Sequence, residues 1–249
     1  MNARTEIDQL GMRRAGAAVR EAFLAMREAA RPGMTTGALD EIGGAVLKQL
    51  GARSAPQLFY DFPGATCISV NEEAAHGIPG ERVLSSGDLV NIDVSAQLDG
   101  YVADMGESFV LDADPARDSA KLRICRAVQT AVRAALAEVR AGRSLNVIGH
   151  AVQKVADRLG YRIVENLGSH GVGRSIHEEP SYVPLDNPRE RRTLIDGMVL
   201  TIEPFLCNGV SWVDEQPDGW TLAVPQGVLV AQYEHTLIVT DGEPIIVTA

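Results

Sequence analysis

The fold is decided by the stretch Leu89-Val-Asn-Ile-Asp-Val-Ser-Ala-Gln-Leu98, Asp99-Gly100, Tyr101-Val-Ala-Asp-Met-Gly-Glu-Ser-Phe-Val110. Two largely apolar runs flank an Asp-Gly pair, which is the pattern of a β-hairpin closed by a type I′ turn. A two-residue turn pairs Leu98 with Tyr101 and thereby fixes the register of the whole hairpin. The sequence therefore predicts two long antiparallel strands on either side of this turn.

This register brings two carboxylates onto one face of the hairpin. Asp93 falls opposite Gly106 and Asp104 falls opposite Ser95, so the two aspartates are diagonal neighbours about 7–8 Å apart. Carboxylates at that spacing can converge on two ions about 3.5–4 Å apart. A solvated sheet face is the alternative interpretation. The apolar run Val90–Val94 around Asp93 weakens that alternative, and buried like charges would need a compensating cation.

The rest of the chain alternates helical and strand patterns. Apolar periodicity and capping residues predict four helices, at Ile7–Ala30, Thr35 or Thr36 to Leu50, Pro115–Arg140 and Leu145–Leu159. Further strands are predicted at Cys67–Val70, Val199–Leu206, Val228–Thr240 and Pro244–Val247. We expect an α+β fold with an antiparallel or mixed sheet covered by helices. No linker or repeat divides the chain, so we expect a single domain over residues 1–249.

Composition excludes several classes of function. The formal charge of -10 argues against a protein that binds nucleic acid through a basic surface. Cys67, Cys125 and Cys207 are widely spaced and odd in number, which fits neither a disulfide framework nor a cysteine-based zinc site. No signal peptide or membrane-spanning segment is evident. We therefore expect a soluble cytoplasmic protein without a membrane or nucleic-acid partner.

Three further acidic or imidazole side chains stand in apolar or glycine-rich surroundings. His170 lies between glycines, Glu203 ends an apolar strand just before Pro204, and Glu234 interrupts another apolar strand. Each one alone could be a hydrogen-bonded core residue or a strand end that reaches water. Together with the hairpin aspartates they form an oxygen-rich set, which suits divalent Mn, Fe, Co or Zn better than a thiolate-binding ion.

Five motifs in the sequence match those of a known family. They are Asn91-Ile-Asp93 with Asp104, His170-Gly-Val-Gly-Arg174, His177-Glu-Glu-Pro180, Thr201-Ile-Glu203-Pro204 and Gln232-Tyr-Glu234-His-Thr236, with Cys67–Asn71 and His76–Pro79 also matching. In this order they resemble the type I methionine aminopeptidases, which have the pita-bread fold of two pseudo-twofold halves. The resemblance covers nearly the whole chain.

The resemblance implies a set of metal ligands and catalytic groups. Two divalent ions (Co, Mn, Fe or Zn) are expected on Asp93, Asp104, His170, Glu203 and Glu234, with Asp104 and Glu234 bridging them. His76 and His177 are implied as catalytic histidines that do not bind metal, and Glu203 as a proton shuttle. The implied reaction removes the initiator methionine from nascent proteins with a hydroxide held between the ions.

The resemblance also implies a pocket for the methionine side chain. Its walls are expected to be Phe59, Phe62, Cys67, Ile176 and Trp220, with His76 and His177 also touching substrate. A thioether packs favourably against aromatic edges, although scattered aromatic residues more often serve as plain core. The implied partner is a nascent chain that begins with Met and a small residue. A transient ribosome contact and a monomeric state are also expected.

The sequence departs from the family pattern near two ligands. Ser169 stands where glycine usually precedes the ligand histidine, and Met105-Gly106 stand where small hydroxyl residues usually follow the second aspartate. Phe59 and Phe62 stand where tyrosines are common. Because a hydroxyl beside a ligand orients it, these changes bear on catalytic efficiency. The alternatives are a proline-specific peptidase of the same fold and a metal-free paralogue that binds partners.

Overall fold

The computed structural model describes all 249 residues, Met1–Ala249. Its helices are α1 (Glu6–Ala29), α2 (Thr36–Gln49), α3 (Ala55–Tyr60), α4 (Ser119–Glu138) and α5 (Asn146–Leu159). Its strands are β1 (Arg53–Ser54), β2 (Cys67–Val70), β3 (Glu73–Ala75), β4 (Leu89–Leu98), β5 (Tyr101–Val110), β6 (Arg162–Ile163), β7 (Ser169–Gly171), β8 (Glu178–Tyr182), β9 (Val199–Ile202), β10 (Phe205–Cys207), β11 (Asp214–Glu215), β12 (Leu222–Ala223), β13 (Val230–Gln232), β14 (His235–Ile238) and β15 (Ile245–Ile246). No helix is long and apolar enough to cross a membrane.

The hairpin β4–β5 has the predicted register. Leu98 pairs with Tyr101, Asp93 with Gly106 and Asp104 with Ser95. Both turn residues have positive φ angles, 51° at Asp99 and 81° at Gly100, as a type I′ turn requires. The two aspartates therefore lie on the same face of the sheet.

Every strand pairing in the protein is antiparallel. Strand β4 is the centre of a four-stranded sheet, with β5 on one side and the short β1 and β2 along the other. A five-stranded sheet has the order β15-β14-β9-β7-β8, and two three-stranded sheets have the orders β13-β10-β6 and β11-β12-β3. The antiparallel alternative of the α+β prediction is the one observed.

Two helix pairs cover the sheets and give each half of the molecule its own core. The first core packs α1 and α2 on β4 and β5, with Phe23, Met26 and Ile92 fully or almost fully buried. The second packs α4 and α5 on β9, β10 and β14, around Ile124 and Ile148. This is the α+β architecture that the resemblance to the pita-bread fold implies. The site residues lie between the two halves, on the sheet faces that the helices leave open.

Two predicted strands are each divided in the structure. Val199–Leu206 becomes β9 and β10, because Pro204 lacks the N–H that a continuous ladder needs. Val228–Thr240 becomes β13 and β14, which join different sheets on either side of Glu234. Both breaks fall at an acidic residue singled out from the sequence.

One helix and the start of another also differ from the prediction. Helix α3 was not predicted, since six residues carry too little periodicity to be recognised. Its start is capped by the Ser54 hydroxyl, which accepts a hydrogen bond from the Gln57 N–H at 3.3 Å. Helix α4 begins at Ser119 and not at Pro115, because the Asp114 carboxylate accepts the Ala116 N–H at 2.8 Å and holds a turn there.

Candidate metal centre and substrate cavity

Five predicted ligands are brought together by four separate parts of the chain. Asp93 and Asp104 come from the hairpin, and His170 comes from the middle of β7. Glu203 lies between β9 and β10, and Glu234 lies between β13 and β14. The strand breaks therefore place the two glutamates at the junction of neighbouring sheets, facing the hairpin.

The ligand side chains are close together and mostly inaccessible to water. Donor atoms of Asp104, His170 and Glu234 all lie within 4.8 Å of one another, and all three residues are buried. His170 Nε2 lies 3.1 Å from Glu203 Oε1 and 3.9 Å from Asp104 Oδ2. Asp93 is half-buried beside them. The structure thus brings four carboxylates and one imidazole to a single point.

Burial makes this cluster electrostatically unfavourable without a cation. Burial and the neighbouring Asp104 raise the pKa of Asp93 well above its usual value, and burial raises the pKa of Asp104 to about 6. The pKa of Glu234 is also raised well above normal, by burial and by Asp104. Burial alone would lower the pKa of His170, but the hydrogen bond and charge of Glu203 raise it to about 9.

The donor set fits divalent metal ions. Glu234 Oε1 is buried and has no hydrogen-bond partner in the protein, although buried carboxylate oxygens are normally paired. The His170 Nδ1–H donates to the Gly171 carbonyl at 2.9 Å, which leaves Nε2 as the ligand atom. An oxygen-rich site for Mn, Fe, Co or Zn requires several carboxylates, an oxygen free to bind the ion and an imidazole ring in a fixed tautomer. The cluster has all three.

Hydroxyl groups orient the ligands despite the departures seen in the sequence. Ser95 Oγ donates to Asp104 Oδ1 at 2.8 Å, and Thr201 Oγ1 donates to Glu203 Oε1 at 2.9 Å. Ser169 Oγ accepts the backbone N–H of Glu203 at 3.0 Å. Met105 points into the core of the first half and is 5 % exposed. The hydroxyl beside Asp104 therefore comes from Ser95 on the neighbouring strand β4, and not from the residues that follow Asp104.

A cavity of about 270 Å³ opens above the cluster. It is lined by Pro56, Tyr60, Phe62, Cys67, His76, Asp93, Ser95, Asp104, His170, Ile176, His177, Glu203 and Trp220. Phe62 and Trp220 meet edge to face with ring centroids 5.2 Å apart. Four of the five predicted side-chain contacts, Phe62, Cys67, Ile176 and Trp220, thus lie in one apolar wall.

Phe59 is the predicted wall residue that the structure places elsewhere. It packs against the core of the first half, and its neighbour Tyr60 lines the cavity. Because Phe59 and Tyr60 are consecutive on the short helix α3, they point in different directions, and the sequence alone did not show which one faced inward. Tyr60 was missed, although its hydroxyl suits a residue at the edge of a polar site.

Two histidines face the cavity. The Tyr60 hydroxyl lies 2.6 Å from His177 Nδ1, and the His177 ring lies 4.3 Å from that of His170, centroid to centroid. Burial and the charge of His170 lower the pKa of His177 to about 4, and burial lowers the pKa of His76. Both are therefore neutral at physiological pH and can donate or accept a hydrogen bond.

The other two histidines lie away from the cavity, as predicted. His150 is exposed on α5 and bonds Asp186 at 3.1 Å. His235 is buried on the face of β14 opposite the ligands, where Thr248 and the Tyr233 hydroxyl bond its ring nitrogens at 2.9 and 3.0 Å.

Sequence similarity agrees with the geometry of the site. The sequence model of metallopeptidase family M24 matches residues 11–241 of this chain. The chain belongs to this family. Its relatives include methionine aminopeptidase 2 of Bacillus subtilis (strain 168), which is 43% identical over 244 residues, covering 96% of this chain and 95% of that protein.

Two solved structures share the fold of this chain. The crystal structure of methionine aminopeptidase from Rickettsia prowazekii superimposes with a TM-score of 0.93 at 32% identity and covers 100% of both chains. A prolidase from Pyrococcus furiosus superimposes with a TM-score of 0.79 at 21% identity, covering 99% of this chain and 65% of the prolidase. The second likeness shows the shared pita-bread fold alone.

Proposed function

We propose that this M24 protein is a methionine aminopeptidase that removes the initiator methionine from nascent chains. The observation that carries the proposal is the position of the carboxylate–imidazole cluster at the base of a cavity with an apolar, aromatic wall. A metal centre beside a pocket for one apolar side chain is suited to cleaving a single residue from a peptide terminus.

Asp93, Asp104, His170, Glu203 and Glu234 would hold two divalent ions, with Asp104 and Glu234 shared between them. The unpartnered Glu234 Oε1 and the mutual 4.8 Å spacing around Asp104 support the sharing. When bound, such ions lower the pKa of water, polarise the scissile carbonyl and bind the free α-amine of the substrate. Co, Mn, Fe and Zn all suit this ligand set.

The methionine side chain would lie against Phe62, Cys67, Ile176 and Trp220. A thioether beside aromatic rings gains about 0.3–1.5 kcal/mol per contact. Phe62 and Trp220, which meet edge to face, both line the cavity. An unbranched, polarisable side chain fits such a wall better than a charged one.

The protein's own acid–base groups would act on the scissile amide. With the Tyr60 hydroxyl donating to His177 Nδ1, the single ring proton of neutral His177 would lie on Nε2, where it could donate to the carbonyl oxygen. His76 would contact the scissile amide from the cavity wall. Glu203, oriented by Thr201, would accept a proton from the attacking water and pass it to the leaving amine.

The cellular setting follows from the substrate and the cysteines. All three cysteines are free and buried, which fits a reducing compartment. We therefore propose the cytoplasm, a monomeric enzyme of one catalytic domain, and transient contact with the ribosome where nascent chains emerge.

Hydrolysis of Met-Ala-Ser and of Ala-Pro peptides separates this proposal from its alternatives. We expect the Mn²⁺-loaded protein to cleave Met-Ala-Ser, EDTA to abolish the activity, and Asp104→Asn to be inactive. Asp99→Asn, on the exposed turn of the same hairpin, is the matched control and should retain activity. Cleavage of Ala-Pro peptides alone would indicate a proline-specific peptidase. Absence of metal binding and hydrolysis would indicate the metal-free paralogue.

A further inference from the structure

The side-chain amide of Gln232 lies in the middle of the ligand cluster. Its Nε2 is 3.1 Å from Glu234 Oε2, 3.3 Å from Glu203 Oε2 and 3.4 Å from Asp93 Oδ2. Three predicted metal ligands from three separate parts of the chain therefore share one neutral hydrogen-bond donor. Gln232 itself is 1 % exposed.

The opposite end of the amide is also fixed. Gln232 Oε1 accepts a hydrogen bond from Asn91 Nδ2 at 2.8 Å, and the same Asn91 nitrogen donates to Ser108 Oγ at 3.1 Å. Ser108 Oγ in turn accepts the backbone N–H of Gln232 at 2.9 Å. Because carboxylates can only accept, the amide nitrogen must face the ligands and the oxygen must face Asn91.

The space for this amide is left by a missing side chain. A Cβ at Gly106 would lie 2.4 Å from Gln232 Oε1 and 2.8 Å from Cδ. Gly106 is the strand residue directly opposite Asp93. The glycine that departs from the usual sequence pattern therefore makes room for the amide behind the ligands.

The Gln232 amide is suited to orienting the ligand carboxylates, but it cannot neutralise their charge as a metal ion would. An amide NH₂ has two protons, so it cannot satisfy three carboxylates and neutralises none of them. It instead holds one oxygen of the carboxylates to which it donates, and the other oxygen of Glu234, Oε1, is left without a partner in the cluster. Groups that orient ligands in this way typically change metal affinity by about 10–100-fold when removed.

We propose that Gln232 is a positioning residue that holds Asp93, Glu203 and Glu234 in their metal-binding orientation, with Asn91 and Gly106 fixing the amide. The inference rests on the proposed function, since it concerns the same metal centre. Gln232 is the first residue of the matched segment Gln232–Thr236. The available signal was its position two residues before Glu234, since residues two apart on a strand share a face.

Isothermal titration of the EDTA-treated and dialysed full chain with Mn²⁺ alone tests the inference. Gln232→Met keeps the length of the side chain but removes the donors, and we expect Mn²⁺ to bind about 10–100-fold more weakly. We also expect kcat on Met-Ala-Ser to recover as Mn²⁺ is raised, with KM for the peptide unchanged. Gln129→Met is the matched control, because Gln129 bonds Glu107 at 3.3 Å outside the site.

A second variant keeps the inference falsifiable where Gln232→Met fails to fold. Gly106→Ala replaces neither a ligand nor Gln232, but its Cβ would displace the Gln232 amide, so it should also weaken Mn²⁺ binding. If a folded Gln232→Met or Gly106→Ala protein binds Mn²⁺ with wild-type affinity, the inference is wrong but the proposed function still stands. A wild-type protein that binds no Mn²⁺ and cleaves no Met-Ala-Ser overturns the proposed function and the inference with it.

Discussion

Replacing Asp104 by asparagine should stabilise the metal-free protein while it abolishes activity. Asp104 is 4 % exposed, and its burial raises the pKa of the carboxyl from 3.8 to about 6. The folded state therefore binds the proton of Asp104 more tightly than the unfolded chain does. As the pH rises from about 4 to about 6, the unfolded chain loses this proton first, and the free energy of unfolding falls.

The size of the stabilisation follows from the change in the pKa of Asp104. A difference of about two pKa units corresponds to about 3 kcal/mol, since each unit is about 1.36 kcal/mol. Asparagine keeps the shape of the side chain and an oxygen that accepts from Ser95, but it cannot ionise. For a chain of this length about 1 kcal/mol moves the melting temperature by about 2–4 °C. We therefore expect an increase of up to roughly 6–12 °C at neutral pH.

Differential scanning calorimetry in EDTA at pH 7.5 and pH 4 measures this directly. Asp104→Asn should melt above wild type at pH 7.5, and the difference should nearly vanish at pH 4, where the wild-type carboxyl is protonated in the folded state. Asp99→Asn, on the exposed turn, should match wild type at both values. An Asp104→Asn protein that melts at or below wild type at pH 7.5 would show that the buried charge does not destabilise the metal-free site.

Three other substitutions test the cavity and its support. Tyr60→Phe removes the 2.6 Å bond to His177, so kcat on Met-Ala-Ser should fall about 10-fold, equivalent to ~1.4 kcal/mol, with metal affinity unchanged; an unaltered kcat would refute the orienting role of Tyr60. Phe62→Ala opens the aromatic wall and should raise KM about 10-fold in steady-state kinetics, whereas an effect on kcat alone would place Phe62 outside the side-chain pocket. Ser169→Gly removes the acceptor of the Glu203 N–H and should lower the free energy of unfolding by about 1–2 kcal/mol in urea titrations, a result that equal stability would contradict.

The hairpin and the common face of its two aspartates could be predicted because local rules determine them. An Asp-Gly turn of two residues allows one register, so the shared face of Asp93 and Asp104 followed directly from the sequence and is confirmed. The opposite faces of Glu234 and His235 followed from strand alternation in the same way. Such predictions need no knowledge of how distant segments pack.

The parts that could not be predicted depend on contacts between distant segments. Helix α3 is six residues long, and its orientation decides that Tyr60 and not Phe59 faces the cavity. The role of Gln232 depends on Asn91, which lies 141 residues earlier in the chain. An isolated amide in an apolar strand carries no local signal for such a partner. Packing between the two halves of the molecule supplies that information.

The site is built where regular strand pairing stops. At Glu203-Pro204 and at Tyr233-Glu234 the chain leaves one sheet and enters another, yet no backbone donor of a ligand is left unpaired. The Glu203 N–H donates to Ser169 Oγ at 3.0 Å, and the Glu234 N–H donates to the Gly106 carbonyl at 2.8 Å. Buried backbone groups must be paired somewhere, so these two contacts permit the breaks. If the strand continued through either point, the alternation of side chains along it would set the direction of each glutamate carboxylate. A residue adjacent to each glutamate would then point away from the hairpin. The two glutamates therefore approach the two aspartates of a different sheet because the strands are interrupted. The breaks at Glu203-Pro204 and Tyr233-Glu234 create the candidate metal centre.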